Sequence, residues 1–331
     1  MTRVKVVHAS VAGAVLVAGV ALVWPTTLKD AAVHLFVEQG TEEASISVLF
    51  VGDIMLDRAV AVHAKEQGDE VLFRGVEALF QRADALVGNL EGSITTNPSI
   101  AERNNSILRF TFDPRFAAHL QWLGFDALSL ANNHALDFGA AGYEQTKSYL
   151  RAAHVASFGH PLNNEDLSTA LSVKGMLVCL VGYHSLFDPD SVWVDAEIKK
   201  LRPVCTYVVV VAHWGEEYQR EPTPWQQSSA REFIDLGVDV VIGTHPHIVQ
   251  PVEIYKNRAI FYSLGNFLFD QGFQPEVKRG LAVKVEFAAS STNFTLTPVN
   301  TFKEVSLADA TTTRAVLKDL GVEGLSFELP Q

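Results

Sequence analysis

The chain has 331 residues, a net charge of −12 and 48% apolar residues, enough for one large α/β domain with a substantial core or for two smaller ones. Its 38 acidic residues outnumber 26 basic ones and no basic stripe interrupts them, which excludes the phosphate-neutralising surface that nucleic-acid binding requires. Cys179 and Cys205 are the only cysteines and sit in apolar, strand-like runs; the default reading is two buried thiols, with a disulfide open to them if the domain is exported.

In chain order, Arg3 and Lys5 precede a nearly unbroken apolar run from Ala9 to Trp24. With its flanks this is close to the ~20 residues a membrane-crossing helix needs. Basic residues at its start favour that end staying in the cytoplasm, so the residues beyond the run face outward. A cleaved signal peptide is the rival reading, with Gly19-Val20-Ala21 as its small residues, but the apolar run continues through Leu22, Val23 and Trp24. The expectation is an uncleaved single-pass anchor at 1–27 and a juxtamembrane connector at 28–45. A main domain at 46–300 and a tail at 301–331 complete the chain, the body of the protein lying outside the cytoplasm.

The stretch 46–51 (ISVLFV) is short, β-branched and apolar. It reads as a buried parallel strand that delivers Asp53 at its carboxyl end. A helical stretch at 71–82 leads to a strand at 85–87, followed by Glu91. A helix from Pro114 to Leu123 precedes a strand at 127–130, which ends in Asn132-Asn133-His134 with Asp137 just beyond. A helix at 141–153 comes next. Strands at 177–182 and 207–212 succeed it, the second ending at His213. A helix at 224–236 feeds the strand 238–242, whose end carries His245 and His247 around Pro246. Residues two apart on an extended segment project to one side, so these two imidazoles are expected to point together as metal donors. The strand 259–263 ends at Asn266, and 281–287 and 294–299 read as outer strands.

Strands alternating with helices gather their carboxyl-end loops at one edge of a sheet, where ligands bind. Asp53, Glu91, Asn133, His213, His245 and His247 then form a mixed nitrogen and oxygen ligand set without thiolate. Such a set suits one or two divalent cations, Mn, Fe or Zn. His134 is placed to protonate a leaving oxygen, with Asp137 orienting it. Arg58 and Asn266 are the candidates for contacting an anionic substrate. His8, His34, His63, His119, His154, His160 and His184 lie off the strand-end pattern and read as structural.

Six blocks in order, GDIMLDR (52–58), GNLEGSIT (88–95), LANNHALDFG (130–139), HWGEEY (213–218), GTHPHIVQPVEIY (243–255) and YSLGNFLFDQ (262–271), resemble the CapA, or poly-γ-glutamate capsule, family. The resemblance spans about 46–287. That family is similar to the calcineurin-like metallophosphoesterases, which implies a two-sheet β-sandwich flanked by helices, a four-layer α/β/β/α architecture. It further implies Asp53 as the first metal aspartate, Glu91 as a bridging carboxylate, Asn133 and His134 as ligand and general acid, and His213, His245 and His247 as later ligands. One position departs from the phosphoesterase pattern: Met55 stands where a histidine ligand is usual, leaving one metal site weaker, vacant or completed by Asp57. Two functions are compatible with this set. One is an anchored, outward-facing metal-dependent hydrolase in capsule or envelope polymer metabolism. The other is a non-catalytic envelope component that binds polymer or supports a membrane capsule synthase.

Overall fold

The computed structural model describes residues 45–101, 106–187 and 189–331. The expected anchor at 1–27 and nearly all of the connector at 28–45 lie outside the described residues. Among the described residues no helix is long and apolar enough to cross a membrane.

The chain begins with β1 (Ile46–Ile54), α1 (Arg58–Gln67), α2 (Glu77–Phe80), β2 (Ala85–Leu90) and the short pair β3 (Ser93–Ile94) and β4 (Thr111–Phe112). It continues through α3 (Arg115–Trp122), β5 (Ala127–Ser129), α4 (Gly139–Ala152) and β6 (Ala156–Phe158). A second group comprises β7 (Ser168–Val173), β8 (Met176–His184), α5 (Val192–Leu201), β9 (Tyr207–His213), α6 (Pro224–Asp235) and β10 (Val240–Thr244). The remainder holds β11 (Val252–Tyr255), β12 (Arg258–Phe261), β13 (Asn266–Leu268), β14 (Arg279–Phe287) and β15 (Ser291–Asn300). It closes with β16 (Ser306–Leu307), α7 (Ala310–Leu320) and β17 (Ser326–Pro330).

These strands form two large sheets. One runs β16-β15-β14-β1-β2-β5-β6, with β13 beside β1 and β17 beside β15; the other runs β11-β12-β10-β9-β8-β7. Period-two alternation decides which side of each strand faces what. In β1, Val48 and Phe50 join Val178, Leu180, Val209, Val211, Val240 and Ile242 of the second sheet in one apolar layer. Leu49 and Val51 of the same strand turn outward to Ala64, Leu120 and Leu150 on α1, α3 and α4. The outer side of the second sheet, with Val208 and Val210, is covered by Val194 and Ile198 of α5 and Phe233 of α6. The result is two facing sheets with helices on both outer sides. The stretch 301–331 contributes β16, α7 and β17, and β17 pairs with β15 along Ser291–Thr295.

The helix expected at 71–82 is broken. Residues Asp69–Leu72 form a 3-10 turn and only Glu77–Phe80 is α-helical. Gly75 between them bridges Ser306, and a side chain there would meet the Val305 carbonyl at 2.5 Å, so tertiary contact overrides helix periodicity. Gly52 has a comparable role in β1: a Cβ would stand 1.9 Å from the Gly265 carbonyl, which accepts the Asp53 amide at 3.2 Å. This close approach puts Asp53 in register with Asn266.

The reading of Cys179 and Cys205 as free thiols is corrected, since the two are joined in a disulfide with Cα atoms 6.0 Å apart. Cys179 lies on β8 and Cys205 on the turn entering the neighbouring β9, so strand pairing brings them to bonding distance. Closing a loop of this length stabilises a fold by about 3 kcal/mol in the chain-entropy account. Cys179→Ser/Cys205→Ser is therefore expected to lower the urea midpoint by the equivalent of about 3 kcal/mol; an unchanged midpoint would show that the bond contributes nothing.

Candidate metal centre

All six expected ligand residues come together at the carboxyl ends of parallel strands. Asp53 ends β1 and Glu91 follows β2; Asn133 follows β5, His213 ends β9, and His245 and His247 follow β10. The two sheets thus contribute three donors each. Asp53, Glu91 and His213 are buried with donor atoms within 4.8 Å of one another, and exposed Glu217 with buried His245 and His247 forms a second group equally close.

The hydrogen bonds around them aim the donors. Asn89 Nδ2 donates to Asp53 Oδ1 at 2.8 Å, and Asn132 Nδ2 donates to Asn89 Oδ1 at 3.0 Å. The His245 amide donates to Asp53 Oδ2 at 3.2 Å. His213 has Nδ1 3.0 Å from Thr244 Oγ1 and Nε2 2.9 Å from Asn133 Oδ1. His247 turns Nδ1 to Asn266 Oδ1 at 2.9 Å, which leaves Nε2 facing Glu91 Oε1 at 3.7 Å. His134 places Nδ1 2.9 Å from Asp137 Oδ2 and Nε2 3.9 Å from Glu91 Oε1.

The convergence of His245 and His247 has a different cause from the one expected. The strand stops at Thr244, and both histidines have left-handed backbone, with φ of 95° and 59°. Non-glycine residues hold that conformation at a cost that surrounding structure must offset, a feature concentrated at functional sites. A turn around Pro246, not an extended segment, brings the two rings to 5.9 Å between centroids.

Arg58 and Asn266, expected to contact substrate, are both tied to partners within the protein. Arg58 is buried, its guanidinium ion-paired with Asp270 and lying 4.9 Å over the Phe110 ring. Asn266 is fully buried and divides its amide between His247 and its own loop, donating to Gln271 Oε1 at 3.0 Å and to the Val277 carbonyl at 2.9 Å. It orients His247. Asp57 is likewise unavailable to replace the ligand missing at position 55. Its Oδ1 accepts from the Arg58 amide at 2.6 Å and from Ser99 Oγ at 2.5 Å, and its Oδ2 from the Thr111 amide at 3.0 Å. Met55 itself is buried in the apolar cluster beneath the helices, its sulfur accepting the Asp57 amide at 3.1 Å.

Two residues outside the expected set also reach the site. Glu217, in the loop after β9, belongs to the second donor group; an acidic residue four positions after His213 is its only trace in the sequence. His184, read as structural, ends β8 in register with His213, and their ring centroids are 5.9 Å apart. Burial holds the His184 imidazole down to about 4.

Electrostatics show what the cluster lacks. Both Glu91 oxygens and Nδ1 of His245 are buried without a hydrogen-bond partner. Burial, reinforced by the Asp53 charge, pushes the Glu91 carboxyl well above the usual carboxylate range. Burial and then neighbouring His247 hold His245 down to about 2; burial and then His245 hold His213 well below the usual histidine value. Burial also opposes charge on His247, but Glu91 and Asp53 outweigh it and lift the imidazole to about 9. A buried carboxylate without partners is costly unless a cation compensates it. Imidazoles and carboxylates, which give up their protons when a cation binds, are the donor set of Mn, Fe and Zn, so the residues present fit a divalent metal.

Fold and site together define a two-sheet α/β protein with a buried cluster of candidate metal-ligating residues at its strand ends. The sequence matches the model of the bacterial capsule synthesis protein family PGA_cap over residues 47–271, and the chain belongs to that family. It is 30% identical over 299 residues to the PGA biosynthesis protein CapA of Bacillus subtilis (strain 168), covering 83% of this chain and 78% of that one. It is 31% identical over 256 residues to the capsule biosynthesis protein CapA of Bacillus anthracis, covering 70% of this chain and 62% of that one. A solved hypothetical protein from Thermus thermophilus shares the fold with a TM-score of 0.51 at 16% identity, covering 76% of this chain and 99% of the other.

Proposed function

We propose that this chain is a membrane-anchored, outward-facing protein of capsule-type polymer metabolism, of the poly-γ-glutamate kind, whose strand-end centre is a metal-dependent phosphoesterase-like hydrolase site. The observation that carries the reading is Glu91: a fully buried carboxylate whose oxygens have no hydrogen-bond partner and whose close imidazole contacts include His247 and His134, at 3.7 and 3.9 Å. A buried structural carboxylate is ordinarily hydrogen-bonded.

Asp53, Glu91, Asn133, His213, His245 and His247 would hold one or two divalent cations. Bound there, such cations supply polarisation of a phosphoester oxygen and a lowered pKa for attacking water. The protein's own part is to orient and to move a proton. His134 lies 12% exposed at the rim, its Nδ1 held by Asp137, so Nε2 is the atom that delivers a proton to the leaving oxygen. Asn266 and Thr244 fix the ring orientations of His247 and His213, as partners behind metal-ligating histidines do.

The chain divides in this reading into an anchor at 1–27, a connector at 28–45 and a domain from 46 onward; the expected tail at 301–331 is part of that domain, its β17 paired with β15 and its Val316 and Leu320 in the core. The disulfide between Cys179 and Cys205 supports exposure to an oxidising compartment. Capsular or envelope polymer and a membrane capsule synthase are the proposed partners, a view supported by the biosynthetic roles named for the Bacillus relatives. Net charge of −12 means that cations would mediate any contact with an acidic polymer.

Met55, buried where phosphoesterases carry a ligand, favours a second reading, a non-catalytic component that keeps the fold for binding or support. Elemental analysis of protein purified without chelator, alongside turnover of an aryl phosphodiester, separates the two. The hydrolase predicts bound metal and turnover that chelator abolishes and metal restores. Absence of bound metal after supplementation with Mn, Fe and Zn would leave only the second.

A further inference from the structure

Glu217 is 42% exposed at its side chain, and an exposed acid is ordinarily a solvated surface charge. Its surroundings distinguish it. Its carboxylate lies 4.0 Å from His247 Nε2, and its donor atom is within 4.8 Å of those of both His245 and His247. Nδ1 of His245 is buried and has no hydrogen-bond partner.

The backbone that carries Glu217 is fastened to the same histidines. The Tyr218 amide donates to the Pro246 carbonyl at 2.9 Å, in the middle of the turn that sets His245 and His247. The Tyr218 ring stacks on His247 at 5.9 Å and 28°. Gln271 Nε2 donates to the Tyr218 hydroxyl at 3.1 Å and its Oε1 accepts from Asn266, the residue that orients His247. Gly215 and Tyr218 bracket the loop with positive φ of 83° and 63°, so its path is a tight turn held by contacts at both ends. A flexible surface acid needs none of this.

We propose that Glu217 is a metal ligand, joining His245 and His247 on the solvent side of the cluster while Asp53, Glu91 and His213 hold the deeper position. It supplies from the loop after β9 the donor that Met55 cannot supply from β1. The proposal rests on the metal-binding reading above and adds to it a residue outside the six donors carried by the strand ends. Because Glu217 reaches its position from the exposed side, the outer cation would be the more exchangeable of the two, and the one a polymer's own anionic groups would meet.

The test is a Co(II) titration of the metal-free full chain, followed by calorimetry and by visible absorption, which reports coordination directly. The wild type is expected to take up two equivalents. Glu217→Gln is expected to keep the tighter one unchanged and to weaken the other by roughly 10–100-fold or more, with a changed absorption band for that equivalent. Glu217→His, which puts a nitrogen donor in place of the carboxylate, is expected to regain the second equivalent with a band of its own. Glu216→Gln, on the exposed neighbouring residue, should leave both equivalents as in the wild type. Two equivalents with unaltered affinities and spectrum in Glu217→Gln would overturn the proposal while leaving the metal centre standing. A wild type that binds no cobalt would overturn both.

Discussion

Replacing His134 with asparagine is expected to lower turnover of a phosphodiester by roughly 10²–10⁴-fold, the usual contribution of a positioned general acid, while metal content stays as in the wild type. The geometry makes the loss specific. His134 is held by Asp137 at 2.9 Å, and its ring lies 4.3 Å from that of Phe110. Asp137 is itself fixed, its carboxylate accepting the Phe110 amide at 2.7 Å and its carbonyl accepting Arg109 Nε and Nη2 at 3.0 and 2.8 Å. His134 can therefore rotate little, and Nε2 is directed toward the cluster. Asp137→Asn should reduce kcat with little change in KM, since it disturbs orientation and removes no contact with substrate. Equal kcat in wild type and His134→Asn would remove proton donation by His134 from the mechanism.

The second large effect is expected at Glu91. In the metal-free protein Glu91→Gln exchanges one buried polar group for another of the same shape and should change stability little; with metal bound it would remove a donor of the deeper group. The wild type should gain about 2.7 kcal/mol when metal is supplied at a hundred times Kd, whereas the variant should gain almost nothing. The pH dependence has a defined sign. Glu91 and His247 are both raised above their ordinary values of 4.5 and 6.5, so the folded protein retains protons that the unfolded chain has released. Metal-free stability is then greatest below pH 4.5 with respect to Glu91 and declines above it. With respect to His247 it declines from about 6.5 to about 9. Glu91→Gln should flatten both slopes, because the lift on His247 comes first from Glu91. Thermal denaturation from about pH 5 to about pH 9 with and without chelator measures this; a variant whose stability still responds to metal like the wild type would show that Glu91 is not a ligand.

Strand ends were legible because a β-branched run closing at glycine or a polar residue marks both the strand and the loop beyond it. Asp53, Glu91, Asn133, His213, His245 and His247 all lie within a few residues of such an end and all converge. What escaped depends on contacts between elements far apart in the chain. Nothing local says that Asp270 neutralises Arg58, 212 positions away, or that Asn266 turns to His247 and away from solvent. Glu217 is one of two consecutive acids in a loop, and only the turn at Pro246 explains why it, and not Glu216, faces the histidines. The disulfide escaped for a related reason: apolar surroundings make a buried thiol plausible, and the pairing appears only once β8 and β9 are neighbours. The broken helix at Gly75 shows tertiary packing overruling a period that sequence alone supports.

The two sheets divide the donor set, with Asp53, Glu91 and Asn133 on one and His213, His245 and His247 on the other. The deeper group draws Asp53 and Glu91 from one sheet and His213 from the other, so on the metal-binding reading that position would be complete only when the halves of the sandwich dock. If the proposed deep cation binds there, its capture and the docking of the sheets would be one cooperative equilibrium, the cation acting as a rivet through the seam, and a partly folded chain would not carry it.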